Sequence, residues 1–103
     1  RVAADTARFS HPEIEFGDVV YGPLHDIVGG GLARELCFTG RVVEAQEAKR
    51  LGLVSSVVPV DELADEVTRF TGLIGRAPRD VLLRTKAKAI RRARVAESNT
   101  LDL

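Results

Sequence analysis

Residues 39–58 constrain the fold more than any other stretch, because two glycines separate a short amphipathic segment from a β-branched one. Gly40 can take the left-handed backbone conformation that ends a helix. The next segment predicts a helix, with Glu47 facing water. Its narrow apolar face consists of Ala45, Ala48 and Leu51. Gly52 closes this helix, and residues 53–58 predict a buried strand.

Two further helices are predicted towards the C-terminus. After Asp61, which is a suitable N-cap, apolar residues recur at helical spacing. They are Leu63, Val67, Phe70, Leu73 and Ile74. Pro78 suits the first position of a second helix, which has a lightly apolar face. Residues 98–103 are predicted to fray.

The N-terminal third contains more breakers. Residues 1–9 predict a short strand pair or an extended segment, with a turn at residues 5–6. Residues 14–28 are interrupted by glycine and proline, and we interpret them as loop with one helical turn. Residues 29–31 are three glycines, which predict a flexible loop entering a helix that ends near Gly40. A phosphate-binding loop is the alternative, but the G-K-[ST] sequence that would support it is absent.

Composition narrows the class of protein. A chain of 103 residues, 45% apolar and 29% charged, is typical of one globular domain rather than of disorder. The single Cys37 cannot form an internal disulfide and is predicted to be a buried small hydrophobe, which fits a reducing cytoplasm. No apolar run is long enough to span a membrane, and no signal-peptide pattern is present. Two histidines and one cysteine do not support a metal site.

Two sequence blocks have a distinctive spacing. Residues 39–59 read T-G-x-x-x-x-A-x-E-A-x-x-x-G-L-V-x-x-V-V-P, and residues 7–17 read A-R-F-S-H-P-E-I-E-F-G. Together they resemble the enoyl-CoA hydratase/isomerase (crotonase) superfamily, whose motif A-R-F-x-x-P-E-x-x-x-G is similar to residues 7–17. The resemblance implies an α/β fold, with residues 1–59 forming the end of a spiral of β-β-α turns. Residues 60–103 would begin a helical trimerisation region. We therefore expect mostly helix with two or three short strands.

The resemblance also implies that the chain is a slice from the later part of a family member. It contains no methionine and begins inside a predicted strand, and it is less than half the usual length of a member. The N-terminal core of the family would then be cleaved, disordered or part of another chain.

Glu13 is the residue predicted to carry chemistry. A carboxylate between Pro12 and Ile14 would be partly desolvated, which favours its protonated form and suits proton transfer. An exposed loop glutamate is the alternative. The resemblance places Glu13 on one of two catalytic glutamates, which hold a water against the double bond of a 2-enoyl-CoA thioester. It assigns the other glutamate, and the two backbone N–H groups that stabilise the enolate, to segments before Arg1.

Three residues are predicted to contact substrate. His11 lies two positions before Glu13, and side chains two apart share a face in an extended segment. Gly17 closes the matching motif. Tyr21 belongs, with His25, to a loop that departs from the family's P-G-x-G-G pattern and would shape the acyl pocket differently. A surface His11, and a hydrogen-bonded or solvent-facing Tyr21 and His25, are the alternatives.

Charge is distributed unevenly along the neutral chain. Residues 1–28 hold two basic and five acidic side chains, whereas residues 76–103 hold eight basic and three acidic ones. Arg84, Lys88 and Arg91 repeat on one helical face, which indicates either a solvated face or an anionic neighbour. The family interpretation is a contact with the 3′-phospho-ADP of coenzyme A. Nucleic acid is disfavoured by the few aromatic residues and the absence of a known motif.

Two functions follow from these observations. The first is an enzyme of fatty-acid metabolism that hydrates or isomerises 2- or 3-enoyl-CoA, incomplete as this chain alone, with coenzyme A present only as part of the substrate. The expected partners are further copies in a homo-trimer or hexamer, or the missing N-terminal half. The second is a non-catalytic module for coenzyme A binding or assembly.

Overall fold

The structure, a computed structural model, describes residues 1–93. It contains strands β1 (Val2–Ala4), β2 (Arg8–Phe9), β3 (Val43–Glu44) and β4 (Ser56–Val58). The helices are α1 (Gly22–Val28), α2 (Gly30–Thr39), α3 (Ala45–Leu51), α4 (Leu63–Ile74) and α5 (Arg79–Ala93). Two 3-10 helices span Pro12–Glu15 and Val60–Glu62. The expected α/β fold, mostly helical with a few short strands, is confirmed; residues 1–93 hold four strands of two or three residues each.

The strands form two separate pairs. β1 lies parallel to β4, with Val2 opposite Ser56, and β2 lies antiparallel to β3, with Phe9 opposite Val43. The predicted pairing of residues 1–9 with each other is therefore wrong. The backbone N–H of Asp5 continues the β1–β4 ladder by donating to Val58, after which the turn directs the chain to the second pair.

Residues 14–28 contain more helix than the glycines and prolines suggested. Pro23 stands at the second position of α1, where its missing N–H group would have no partner within the helix and costs nothing. α1 therefore forms and buries Leu24. Gly29, with φ 88°, separates α1 from α2. Gly30 and Gly31 lie in the first turn of α2 rather than in a flexible loop.

The core lies between α1, α2, α3 and the strands. It consists of Ala3, Leu24, Ala33, Leu36, Cys37, Val43, Ala48 and Val54. Ala33 and Ala48 are fully buried, and their small side chains let the helices approach closely. Cys37 is buried and forms no disulfide, as predicted. Gly40 and Gly52 end α2 and α3 with φ of 63° and 81°, as expected.

The helices after residue 59 pack more loosely. Asp61 lies inside a 3-10 helix, and α4 begins only at Leu63, so the prediction that Asp61 caps α4 is wrong. α4 is tied to the strands by Ser56, whose hydroxyl donates to the carboxylate of Glu66. In α5 Leu82 is half-buried and every other residue is exposed. The frayed end predicted for residues 98–103 lies outside the described residues, and the division at residue 59 stays a prediction.

Candidate active site

Glu13 lies in the 3-10 helix Pro12–Glu15, and not in the extended segment that we predicted. His11 precedes this helix with φ −119° and ψ 76°, which is neither helical nor extended, and Pro12 occupies an early position where proline is favourable. The carbonyl of Glu13 accepts hydrogen bonds from the N–H groups of Phe16 and Gly17, at 3.0 and 2.8 Å. The turn is thus closed on itself, which holds the backbone of Glu13 in one place.

The side chains of His11 and Glu13 meet despite this difference. Nδ1 of His11 lies 3.6 Å from Oε2 of Glu13, which is too long for a hydrogen bond. Both atoms are buried, and neither has a hydrogen-bond partner within residues 1–93. Because buried polar atoms are normally satisfied, these two atoms are available to a water or a substrate group. A carboxyl beside an imidazole can give or take a proton there.

The end of α2 supports the turn that carries Glu13. A Cβ placed on Gly40 would lie 3.5 Å from the carbonyl oxygen of His11 and 3.5 Å from Cα of Pro12. The threonine-glycine step that begins the second sequence block therefore packs against the first block. Sequence analysis missed this contact because it treated Gly40 only as a helix end.

Arg41, which follows the end of α2, forms a network of ion pairs. Its guanidinium binds the carboxylate of Glu47 through two hydrogen bonds of 3.0 Å, and its Nε lies 2.6 Å from Glu35. Glu47 therefore faces Arg41, and our prediction that it faces water is wrong. The hydrogen bonds from Arg41 hold the pKa of Glu47 below its ordinary value. The bonds to Glu47 and Glu35 raise the pKa of Arg41. This network joins the end of α2 to α3.

Two grooves are lined in part by residues that flank Glu13 in the sequence. The first has a volume of about 420 Å³. It is lined by Arg8, Phe9, Ser10, His11, Leu24, Leu36, Arg41, Val43 and Leu53. The second, which we call the Tyr21 groove, has a volume of about 590 Å³. It is lined by Ile14, Val19, Tyr21, His25, Arg34, Cys37 and Phe38. Glu13 lines neither groove, but His11 borders one and Ile14 the other.

Tyr21 and His25 form a pair on α1 and at its start. Oη of Tyr21 lies 2.9 Å from Nδ1 of His25, and the two rings make an edge-to-face contact with centroids 5.4 Å apart. This hydrogen-bonded arrangement is the alternative that sequence analysis held for the two residues, and it places both at the Tyr21 groove. Gly17 is exposed and contributes its N–H group to the Glu13 turn.

The basic residues Arg84, Lys88 and Arg91 are all exposed on α5. Arg84 forms an ion pair with Asp80 at 2.9 Å, four positions earlier on the same helix. The contact of these residues with a coenzyme A phosphate stays a prediction.

Residues 1–93 contain no group of three or more histidine, cysteine, aspartate or glutamate side chains arranged to hold a metal ion. No helix within the same residues is both long enough and apolar enough to cross a membrane.

The chain is similar to proteins of one family along its whole length. The sequence profile described as enoyl-CoA hydratase/isomerase matches residues 1–103. A probable enoyl-CoA hydratase of Mycobacterium bovis is 38% identical over 106 residues, covering 98% of this chain and 38% of that protein. The crystal structure of a probable enoyl-CoA hydratase/isomerase from Mycobacterium abscessus matches with a TM-score of 0.82 at 29% identity, covering 95% of this chain and 40% of that one.

The structure of a protein described as an isomerase, and not as a hydratase, also matches. It is a monofunctional enoyl-CoA isomerase from M. smegmatis, with a TM-score of 0.77 at 28% identity, covering 95% of this chain and 48% of that one. The chain thus spans about two fifths to one half of the length of these three proteins.

Proposed function

Since the chain belongs to the enoyl-CoA hydratase/isomerase family, we propose that it forms part of an enzyme that hydrates or isomerises enoyl-CoA thioesters, with Glu13 transferring the proton. One observation carries this assignment. Oε2 of Glu13 is buried without a hydrogen-bond partner in the described residues, beside an equally unpaired Nδ1 of His11. The side chain of Glu13 as a whole is 37% exposed, so this covered oxygen lies at a surface that a substrate can reach.

The chemistry needs a group that moves a proton to or from carbon next to a thioester. In hydration, Glu13 would share a water with a second carboxylate, the hydroxyl of this water would add to the β-carbon, and Glu13 would pass the proton to the α-carbon, which consumes the double bond. In isomerisation, a single carboxylate can remove the proton and return it at another carbon. The neighbouring His11 would orient the carboxyl group of Glu13 or contact the substrate. The family resemblance assigns the second carboxylate and the donors that stabilise the enolate to segments preceding Arg1.

Coenzyme A would take part only as the carrier of the acyl group, and no other cofactor is proposed. Its 3′-phospho-ADP would contact Arg84, Lys88 and Arg91. All three are exposed, and Arg84 would exchange its exposed ion pair with Asp80 for the phosphate. A cytoplasmic location and a role in fatty-acid metabolism stay predictions.

A second candidate function is a module for assembly without catalysis. The helices after residue 59 support it, because large apolar side chains stand exposed on them, such as Ile74 at 56% and Leu83 at 54%. Further copies in a trimer or hexamer, or another part of the same protein, would cover these faces. The two functions are compatible, but only the first requires Glu13.

Substitution of Glu13 tests the first function. In the complete protein, Glu13→Gln should lower kcat about 10²–10⁴-fold, because the amide cannot exchange a proton. Turnover is measured with crotonyl-CoA for hydration and with a 3-enoyl-CoA for isomerisation. Glu15→Gln is the matched control, since Glu15 lies on the same 3-10 helix and is exposed. Unchanged rates in Glu13→Gln would remove Glu13 from the mechanism, whereas an absence of turnover in the wild-type protein would favour the assembly module.

A further inference from the structure

The Tyr21 groove combines apolar walls with a polar end. Ile14 and Phe38 leave 43% and 72% of their surfaces exposed beside it, and an apolar ligand would cover them. Ile14 also follows Glu13 directly in the chain, so a thioester at Glu13 could extend its acyl chain into this groove. The polar end is formed by Tyr21, His25 and Arg34.

Arg34 has no partner within the described residues. The next residue on α2, Glu35, binds Arg41 at 2.6 Å and is not shared with Arg34. Within the described residues four arginines form ion pairs with carboxylates, Arg8 with Glu44 among them, and Arg34 does not belong to this group. Arg34 therefore presents a guanidinium without a counterion at the edge of an apolar groove. Such a group binds carboxylates through two parallel hydrogen bonds.

Gly30 keeps His25 and Arg34 at the same end of the groove. A Cβ placed on Gly30 would lie 2.9 Å from Cε1 of His25 and 3.3 Å from Nη1 of Arg34. The side chains of His25 and Arg34 therefore lie so close to Gly30 that a larger residue at this position would displace them. The hydroxyl of Tyr21 and Nδ1 of His25 share a hydrogen bond, and in the tautomer in which Tyr21 is the donor the ring proton lies on Nε2 and can donate to a ligand.

We propose that the Tyr21 groove takes an acyl chain ending in a carboxylate, which Arg34 and His25 bind. This inference rests on the proposed function and names its substrate class as ω-carboxylated enoyl-CoA. An acyl chain with a methyl end would fill the apolar part but would form no ion pair with Arg34, whose exposed guanidinium would stay hydrated. A phosphate would find one guanidinium and mostly apolar walls.

Paired substrates test the proposal in the complete protein. The two members of each pair have the same chain length, and the chain ends in either a methyl group or a carboxylate. We expect kcat/KM to favour the carboxylate about 10–100-fold, as is typical of a charged hydrogen bond. Arg34→Gln should abolish this preference and Arg34→Glu should reverse it, with little change for the methyl substrates. Arg50→Gln is the control, because Arg50 is exposed and does not border the groove.

Two outcomes would overturn the proposal: a wild-type preference for the methyl end, or an equal loss for both substrates in Arg34→Gln. Dissociation constants of the matching saturated acyl-CoA compounds are measured in parallel, because they do not depend on turnover. If no thioester is turned over, the proposed function fails. The substrate inference then stands only if the carboxylated compound binds about 10–100-fold more tightly and Arg34→Gln removes that difference.

Discussion

Residues 1–58 and residues 60–93 differ in how they use apolar side chains. The first region holds every apolar residue that is buried within the described chain, from Ala3 to Val54. The second region has amphipathic helices but buries none of its residues. Within the described residues, apolar helix faces are therefore buried against other elements of this chain only in residues 1–58. The second region displays an apolar surface that a neighbour would cover, and the candidate site lies entirely in the region that contains the core.

Truncating one leucine in each region should give the largest difference in stability between the two regions. Leu36 is 4% exposed and Leu83 is 54% exposed. Leu36→Ala should lower the free energy of unfolding by about 2–5 kcal/mol, because it leaves a cavity. Leu83→Ala should cost less, and its cost should depend on protein concentration, since only association covers that side chain. Urea denaturation at several protein concentrations measures both. Equal losses that do not depend on concentration would contradict the comparison.

Two glycines within residues 1–58 allow an effect on stability to be distinguished from an effect on activity. Gly40 and Gly52 both end helices with positive φ, but only Gly40 lies against the turn that carries Glu13. Gly40→Val and Gly52→Val should each destabilise the protein by about 1–2 kcal/mol, because valine disfavours this conformation.

Only Gly40→Val should also lower kcat, because the branches of valine would press on the carbonyl of His11 and displace the turn. Thermal unfolding and kcat for crotonyl-CoA are measured on the same samples. A similar kcat in the two variants would show that α2 does not position Glu13.

The smallest expected effect concerns the joint between the two regions. Hydrogen bonds from Arg69 and then Ser56 hold the pKa of Glu66 below its ordinary value of 4.5. Since the pKa is lowered in the folded state, the stabilisation is fully present above that value and is lost as pH falls through the lowered pKa. Ser56→Ala should make stability less sensitive to pH in this acid range, with a total loss below that of Gly40→Val.

Melting temperatures from neutral pH into the acid range below 4.5 measure this effect. Ser55→Ala is the control, because Ser55 is exposed whereas Ser56 is 8% exposed. If the two serine variants follow the same acid profile, Ser56 does not contribute to the pKa of Glu66.

Local signals predicted several elements correctly, and their failures have identifiable causes. The helix between Gly40 and Gly52 was predicted because glycine stops and an alanine face agree there. Residues 14–28 were predicted as loop with one helical turn because Pro23 was treated as a breaker, whereas α1 has seven residues and Pro23 is favourable in its first turn. For the site, Glu13 and His11 were selected from the sequence. The reason that we gave, an extended segment, is wrong, since a 3-10 helix carries Glu13 and still leaves its carboxyl group near His11.

The family, the mostly helical α/β fold and the helix ends at Gly40 and Gly52 could all be predicted from the sequence. Each of them depends on residues that are close together in the chain. Only the tertiary structure decided that β1 pairs with β4, that Glu47 binds Arg41 and that Gly40 supports the turn of Glu13. The parallel pairing and the Gly40 contact join residues far apart in the chain, and the ion pair depends on how two helices meet. Spacing along the chain carries no record of any of them, because such contacts follow from the path of the whole backbone.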